Sequence, residues 1–247
     1  MDNERILVND TKQVDVSIVM PCLNESKTIE KCIREAFHFY SKNNLIGEVI
    51  IVDNGSVDDS VVIAEGCNAT VVHAAERGYG NACRIGFKVA RGEFVFKMDA
   101  DGTYVCDDIQ KMLVKFNEGY DYVIGSRLKG KILPEAMPFS HQYIGNPIMS
   151  LFARFLCNTG VSDICCGLKG FRNDVLDQLV FQSPGMVFGP ETTIVSRQNG
   201  LRIAEVPITY RPDMRESGTN LRRYRDGINN MMYIFAQSII FKKYNND

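Results

Sequence analysis

The chain has 247 residues, 45% of them hydrophobic, with a formal net charge of −2. That is enough apolar material for a sizeable core in one large domain or two closely joined ones. The near-neutral balance excludes a nucleic-acid binder by charge, although residues 201–247 hold eight Lys/Arg against five Asp/Glu, a local surplus suited to an anionic ligand.

The first half alternates strand and helix patterns with short punctuation, which predicts an α/β fold with a mainly parallel sheet. VSIVM (16–20) is a continuous apolar, β-branched run and reads as a buried strand that Pro21 stops. Ile29, Cys32, Ile33, Ala36, Phe37 and Tyr40 recur at helical spacing, with Asn24 or Ser26 as the expected cap. EVIIVD (48–53) reads as a strand, 58–66 as a helix, TVVHA (70–74) as a strand, and 80–92 as a helix closing at Gly92. FVFKM (94–98) is the fourth strand, followed by a helix at 107–118 and a strand at 120–126. Beyond that the alternation ends. Residues 128–140 read as loop, 144–157 as helix, 163–172 as a turn and short strand, 190–199 as helix, and 201–207 as strand. An Arg-rich loop (211–220) leads into a last helix, 221–241.

Eight cysteines include no Cys-x-x-Cys, and the three histidines stand far from any cysteine pair, which argues against zinc. The opening MDNERILVNDTKQ is polar, so reduced thiols and a cytoplasmic location are expected. No run reaches the roughly eighteen apolar residues of a membrane-spanning helix. MMYIFAQSIIF (231–241) is shorter and suits a peripheral contact at the cytoplasmic face of a bilayer.

Three strands of the first half end in polar residues: Pro21-Cys22-Leu23-Asn24-Glu25, Asp53-Asn54-Gly55-Ser56 and Asp99-Ala100-Asp101. Ligands of open parallel sheets bind outside the carboxyl ends of the strands, so this edge predicts a nucleotide site. The Asp-x-Asp pair offers hard oxygen ligands for Mg2+ or Mn2+, ions that share their shell with water and substrate phosphates. A rival sits at Gly78-Tyr79-Gly80-x-x-Cys83, near the dinucleotide fingerprint of an oxidoreductase. Cys83 occupies its third glycine position, and that reading leaves Asp101 without a task.

These segments carry a resemblance. VSIVMPCLNE (16–25), VIIVDNGSVDDS (49–60), RGYGNACRIGFKVARGE (77–93), FKMDADGTY (96–104) and VIGSR (123–127) are similar to family 2 glycosyltransferases of the GT-A fold, and most resemble the dolichyl- or polyprenyl-phosphate mannosyl- and glucosyltransferase branch. DICCGLKGFR (163–172) and LRIAEVPITYRPDMRESG (201–218) extend the match. The resemblance implies a GT-A type, Rossmann-like sheet flanked by helices, with a mixed acceptor-side half. It implies a single domain over 1–247, with 14–127 as the nucleotide-sugar half and 128–247 as the acceptor half ending in the C-terminal helix.

Carried onto this chain, the resemblance implies that Pro21, Asn24, Glu25 and Ala100 line the donor pocket and Asp53 bonds the base. Arg77, Gly78 and Gly80 let the backbone approach the donor. Asp99 bonds ribose or metal, and Asp101 binds the metal bridging the phosphates, where it takes part in catalysis. Arg127 faces the acceptor phosphate; Arg172, Arg211, Arg215, Arg222 and Arg223 are further phosphate ligands, since guanidinium forks match phosphate oxygens. Glu191 and Asp163 are candidate general bases, needed only for a hydroxyl or thiol acceptor. The expected reaction is inverting, metal-dependent transfer of a hexose from a UDP- or GDP-sugar to a polyprenyl or dolichyl phosphate. A soluble small molecule or a peptide Ser or Cys as acceptor, a nucleotidyltransferase and a non-catalytic nucleotide-binding module are the alternatives, and a homo-oligomer stays open.

Overall fold

The computed structural model describes residues 13–215 and 223–245, with side chains described between 225 and 239 of the last stretch. Seven strands form one sheet in the order β3-β2-β1-β4-β6-β5-β7. β1 (Val16–Cys22), β2 (Gly47–Asp53), β3 (Thr70–His73) and β4 (Phe94–Lys97) run parallel. β6 (Lys169–Arg172) is antiparallel to both β4 and β5 (Tyr122–Ile132), while β7 (Ile203–Tyr210) pairs parallel with β5. This is the expected α/β, GT-A type arrangement.

Val16 to Met20 are all buried, as a parallel strand covered on both faces requires. The covering helices are α1 (Ile29–Lys42), α2 (Ser60–Gly66), α3 (Tyr79–Val89), α4 (Ile109–Asn117), α5 (Asn146–Cys157), α6 (Asn173–Leu176), α7 (Phe188–Gln198) and α8 (Arg223–Asn245). The sheet grows from β1 through β2 to β3 and then continues from β1 on its other side with β4. The carboxyl ends of β1 and β4 therefore flank the point where strand order reverses, the position at which open α/β sheets form their ligand crevice.

Several boundaries differ from the sequence expectation. β5 continues through 128–132, read as loop, because Lys131 and Ile132 pair with Thr209 and Tyr210 beyond a break in register. The 163–172 segment, by contrast, is a turn and a short strand, Lys169–Arg172, as expected. In α1, Phe39 is buried where Phe37 was expected, and the capping position is Thr28 rather than Asn24 or Ser26. Thr28 Oγ1 donates to Ala100 O at 2.7 Å, which ties the start of α1 to the Asp-x-Asp turn. A cluster of Phe87, Phe171, Phe181 and Phe188, with ring centroids 5.4–6.3 Å apart, packs α3 against β6 and α7.

Candidate active site

The strand ends at the crevice are built from their own turns. Asn24 adopts a positive φ of 58°, donates its backbone N–H to Ser56 Oγ at 3.0 Å and accepts from Val57 N at 2.8 Å. Those bonds lock the end of β1 to the turn after β2. Asp53 accepts from the backbone of Gly55 and Ser56 and contacts His73 Nδ1 at 3.2 Å. Burial works against its ionisation, but these bonds outweigh it and hold the carboxyl below the usual range. Arg77 lies over the same turn, reaching Gly55 O at 3.4 Å, and Asn54 Oδ1 accepts from Gly78 N at 2.8 Å. Asn24, Asp53, Arg77 and Gly78 thus share one rim of the crevice.

At the other rim the two acids of Asp-x-Asp are held differently. Asp99 Oδ1 takes the Lys97 ammonium at 2.7 Å and the Tyr79 hydroxyl at 2.9 Å. Burial alone would raise this carboxyl; Lys97 and the bonds from Lys97 and Tyr79 reverse that and lower it. Asp101 Oδ1 takes the backbone N–H and the hydroxyl of Thr103 at 3.0 and 2.7 Å. Burial, then repulsion from Asp99, raises the Asp101 carboxyl.

Arg211–Arg215 crosses above: Arg211 N donates to Thr103 O at 2.8 Å and Met214 N to Asp101 O at 3.2 Å. Arg215 drops its guanidinium between Glu25 (3.1 Å), Asp101 Oδ2 (3.4 Å) and Asp213 (2.5 Å). Burial pushes the Glu25 carboxyl up to about 7, with Arg215 opposing and Asp101 adding to the rise.

A divalent cation fits this donor set. Each acid spends Oδ1 on protein donors, and Asp101 Oδ2 faces a positive group. Among the described residues no group of three or more His, Cys, Asp or Glu is placed to hold a metal ion, so the two aspartates would supply only part of a shell. That suits Mg2+ or Mn2+, which complete their shell from water and phosphate.

Other expected site residues sit elsewhere. Arg127 and Asp163 form a bidentate pair, with Nε and Nη2 at 2.8 and 2.7 Å from the carboxylate and Arg127 N at 3.0 Å; Asp163 has no exposed surface. The guanidinium also lies 5.2 Å from the Tyr210 ring centre. A fork so occupied is not free for phosphate, nor is its partner free to act as a base. Glu191 is also buried, and it accepts the backbone N–H groups of Gln182 and Ser183 at 2.9–3.1 Å. It fixes the loop whose Pro184 O accepts from Gly80 N at 2.8 Å.

A Cβ on Gly78 or Gly80 would collide with the carbonyl oxygens of Pro184 and Ser183, so the close approach these glycines permit is to this loop. Arg172 is withdrawn from the acceptor set. It pairs with Phe94 at the start of β4, the opposite end of the sheet from Asp99, and donates to Phe116 O. Arg211 sits at the rim, paired with Glu35 at 2.8 Å. Arg222 lies outside the described residues, as does the side chain of Arg223.

Lys97, Tyr79 and Gly167 were not expected at the site. A signal for Lys97 existed: a lone charge inside the apolar run FVFKM needs a counter-charge when buried, and Asp99 follows two residues on. A Cβ at Gly167 would strike Asp99 Oδ2 and the Tyr104 hydroxyl, which itself accepts from Gly167 N at 2.7 Å. Behind them, opposite Lys97 in the β4–β6 register, stands buried Lys169. Its ammonium donates to Thr192 Oγ1 at 2.7 Å and to Gly189 O.

Burial and then Lys97 lower the Lys169 ammonium to about 7. Its folded pKa is thus below the unfolded value, so the unfolded chain binds the proton more tightly between pH 7 and about 10.4. Stability relative to Lys169→Met should rise across that window by up to about 1.4 kcal/mol per pH unit and be flat below it. Urea unfolding of both proteins at pH 6.5, 7.5 and 8.5 checks this; parallel curves would contradict it.

The sheet order and its covering helices are those of a GT-A glycosyltransferase fold, and the chain belongs to glycosyl transferase family 2, whose model matches residues 17–180. It is 34% identical over 224 residues to the low-salt glycan biosynthesis hexosyltransferase Agl6 of Haloferax volcanii, covering 90% of this chain but 54% of that protein. It is 31% identical over 199 residues to the dolichyl-phosphate hexose transferase of the same organism, covering 80% of this chain and 83% of that one. Among solved structures, glucosyl-3-phosphoglycerate synthase from Mycobacterium tuberculosis in complex with uridine-diphosphate shares the fold. Its TM-score is 0.69 at 19% identity, over 92% of this chain and 80% of that one. The expected branch of the family agrees with these relatives.

Proposed function

We propose that the protein transfers a hexose from a UDP- or GDP-sugar to a polyprenyl or dolichyl phosphate, with inversion and with Mg2+ or Mn2+ at Asp99 and Asp101. The observation that carries this reading is the Arg215 guanidinium held between Glu25 and Asp101, at a crevice edge where a cation and a diphosphate would meet. When bound, the ion would offset charge developing on the leaving diphosphate. Asn24 and Asp53 orient the nucleoside, Arg77 closes over that rim, and Arg215 is within reach of the phosphates. One acceptor oxygen forms the new bond to the anomeric carbon as the bond to the diphosphate oxygen breaks from the opposite face.

The chemistry of the expected bases supports a phosphate acceptor. Asp163 is tied up by Arg127 and Glu191 by backbone N–H groups, whereas a phosphate arrives ionised and needs no base. The likeness to a dolichyl-phosphate hexose transferase points the same way. A lipid-borne acceptor also suits one apolar face. α5 exposes Ile148, Leu151, Phe152 and Phe155, the last to 80%, and Phe152 lies 5.3 Å from Phe235 of α8 near exposed Met232. We read this face as a peripheral bilayer contact; no helix among the described residues is long and apolar enough to cross a membrane.

Titration calorimetry with UDP and GDP, with and without Mn2+, followed by product assays with the preferred donor sugar, tests the proposal. Metal-dependent binding and transfer to polyprenyl phosphate are expected. Transfer only to soluble hydroxyl compounds would overturn the acceptor, and no nucleotide binding would overturn the donor site.

A further inference from the structure

Among the described residues at these strand ends, Lys97 carries a buried charge that neither the proposed nucleotide contacts nor the arginines account for. It is 2% exposed in a strand that is otherwise apolar. Its ammonium lies 2.7 Å from Asp99 Oδ1 and 4.7 Å from the centre of the Tyr79 ring, and the Tyr79 hydroxyl bonds the same carboxylate oxygen. On the opposite side, the Gly167 backbone lies against Asp99 Oδ2 with no room for a Cβ. Asp99 is therefore clamped in position and charge-balanced, whereas the oxygens of Asp101 meet neutral Thr103 groups and the Arg215 guanidinium, which is shared with Glu25 and Asp213.

A buried unit charge a few ångströms from a divalent ion changes its binding by roughly tenfold or more, even at a high effective dielectric. Two bare carboxylates would attract a free divalent cation strongly. A carboxylate that shares the Arg215 guanidinium with Glu25 and Asp213, beside one that Lys97 neutralises, attracts it weakly until a diphosphate brings further negative charge.

We propose that Lys97 is a positioning residue that fixes Asp99 through Oδ1 and cancels its charge, so that the site takes its cation together with a nucleotide diphosphate rather than alone. This rests on the metal-dependent donor site proposed above.

The test measures Mn2+ affinity by electron paramagnetic resonance, alone and with saturating UDP or GDP. Wild type should bind Mn2+ at least about tenfold tighter with nucleotide than without it. Lys97→Met should tighten free Mn2+ by about tenfold and shrink the nucleotide's effect. A merely structural lysine would instead weaken both. Asp99→Asn should weaken free Mn2+, because the Lys97 charge is then unopposed. The double variant Lys97→Met/Asp99→Asn, which removes the pair as a neutral unit, should return to within about threefold of wild type.

Tyr79→Phe removes a hydrogen bond without removing charge and should leave free Mn2+ affinity unchanged. If Lys97→Met does not fold, the double variant and Tyr79→Phe still decide. A double variant as weak as Asp99→Asn, or a Tyr79→Phe effect as large as that expected for Lys97→Met, overturns the proposal. Wild type that binds Mn2+ with neither nucleotide overturns the donor-site reading and this proposal together. Nucleotide-dependent Mn2+ binding with the wrong variant pattern overturns only the role of Lys97.

Discussion

Asp101→Asn should lower turnover by at least about a hundredfold while leaving the melting temperature unchanged or higher. The residue is 9% exposed, and both burial and the nearby Asp99 carboxylate oppose its charge. An amide relieves that repulsion. The Asn oxygen still accepts the two Thr103 bonds, so the turn through Gly102, at φ 78°, keeps its shape. Arg215 loses one carboxylate but keeps Glu25 and Asp213. What disappears is the charge that a cation and a departing diphosphate would share. Single-turnover rates at saturating donor and Mn2+, read beside a thermal melt, separate the effects. A variant within about threefold of wild type would remove Asp101 from the chemistry, and a large loss of stability would make it a structural residue.

The first four strands of this molecule were legible because their signals are local. A buried parallel strand announces itself as VSIVM, and the polar residues that follow it fall at the carboxyl edge whatever the details of packing. Asp99, Asp101, Glu25 and Asp53 could be placed at one edge from strand ends alone. The chain from Arg127 onward was less legible because its meaning depends on partners far away in sequence. Arg127 reads as a free guanidinium after Gly-Ser until Asp163, 36 residues later, closes on it. Glu191 reads as an acid at a helix start until the backbone of Gln182 and Ser183 is found beneath it.

Arg172 is misplaced for a different reason. β6 runs antiparallel to β4, so the end of this strand points away from the crevice, and periodicity carries no sign of direction. The extension of β5 past Arg127 was hidden by Gly130 and Lys131, which look like loop, although Lys131 and Ile132 pair with β7 beyond a break in register. Lys97 was visible as an anomaly in an apolar run, yet the arithmetic of buried charge was needed to give it a partner.

Removing one member of the Arg127–Asp163 pair should produce the largest stability loss in the molecule, about 3–5 kcal/mol for either Arg127→Met or Asp163→Asn. Neither charge has water to turn to: Arg127 is 7% exposed and Asp163 fully covered. Asp163 also donates its backbone N–H to Glu205 at 2.9 Å, and Glu205 in turn holds Lys129 at 2.5 Å, so the loss spreads along β5 and β7. Arg127→Met/Asp163→Leu, which leaves no orphan charge, should recover most of the difference, because the cost comes from an unpaired buried ion rather than from a missing attraction. Urea unfolding of the three variants measures this, and a loss below about 1 kcal/mol for Asp163→Asn would mean that the pair is open to solvent.

Kinetics on protein that remains folded separate the anchoring role of Arg127 from the phosphate contact expected of it from the sequence. A ligand of the acceptor phosphate raises the acceptor KM and leaves the donor KM alone. The buried pair instead anchors the 162–167 turn, whose Gly167 backbone lies against Asp99. Its loss should therefore lower kcat and disturb donor and acceptor binding together.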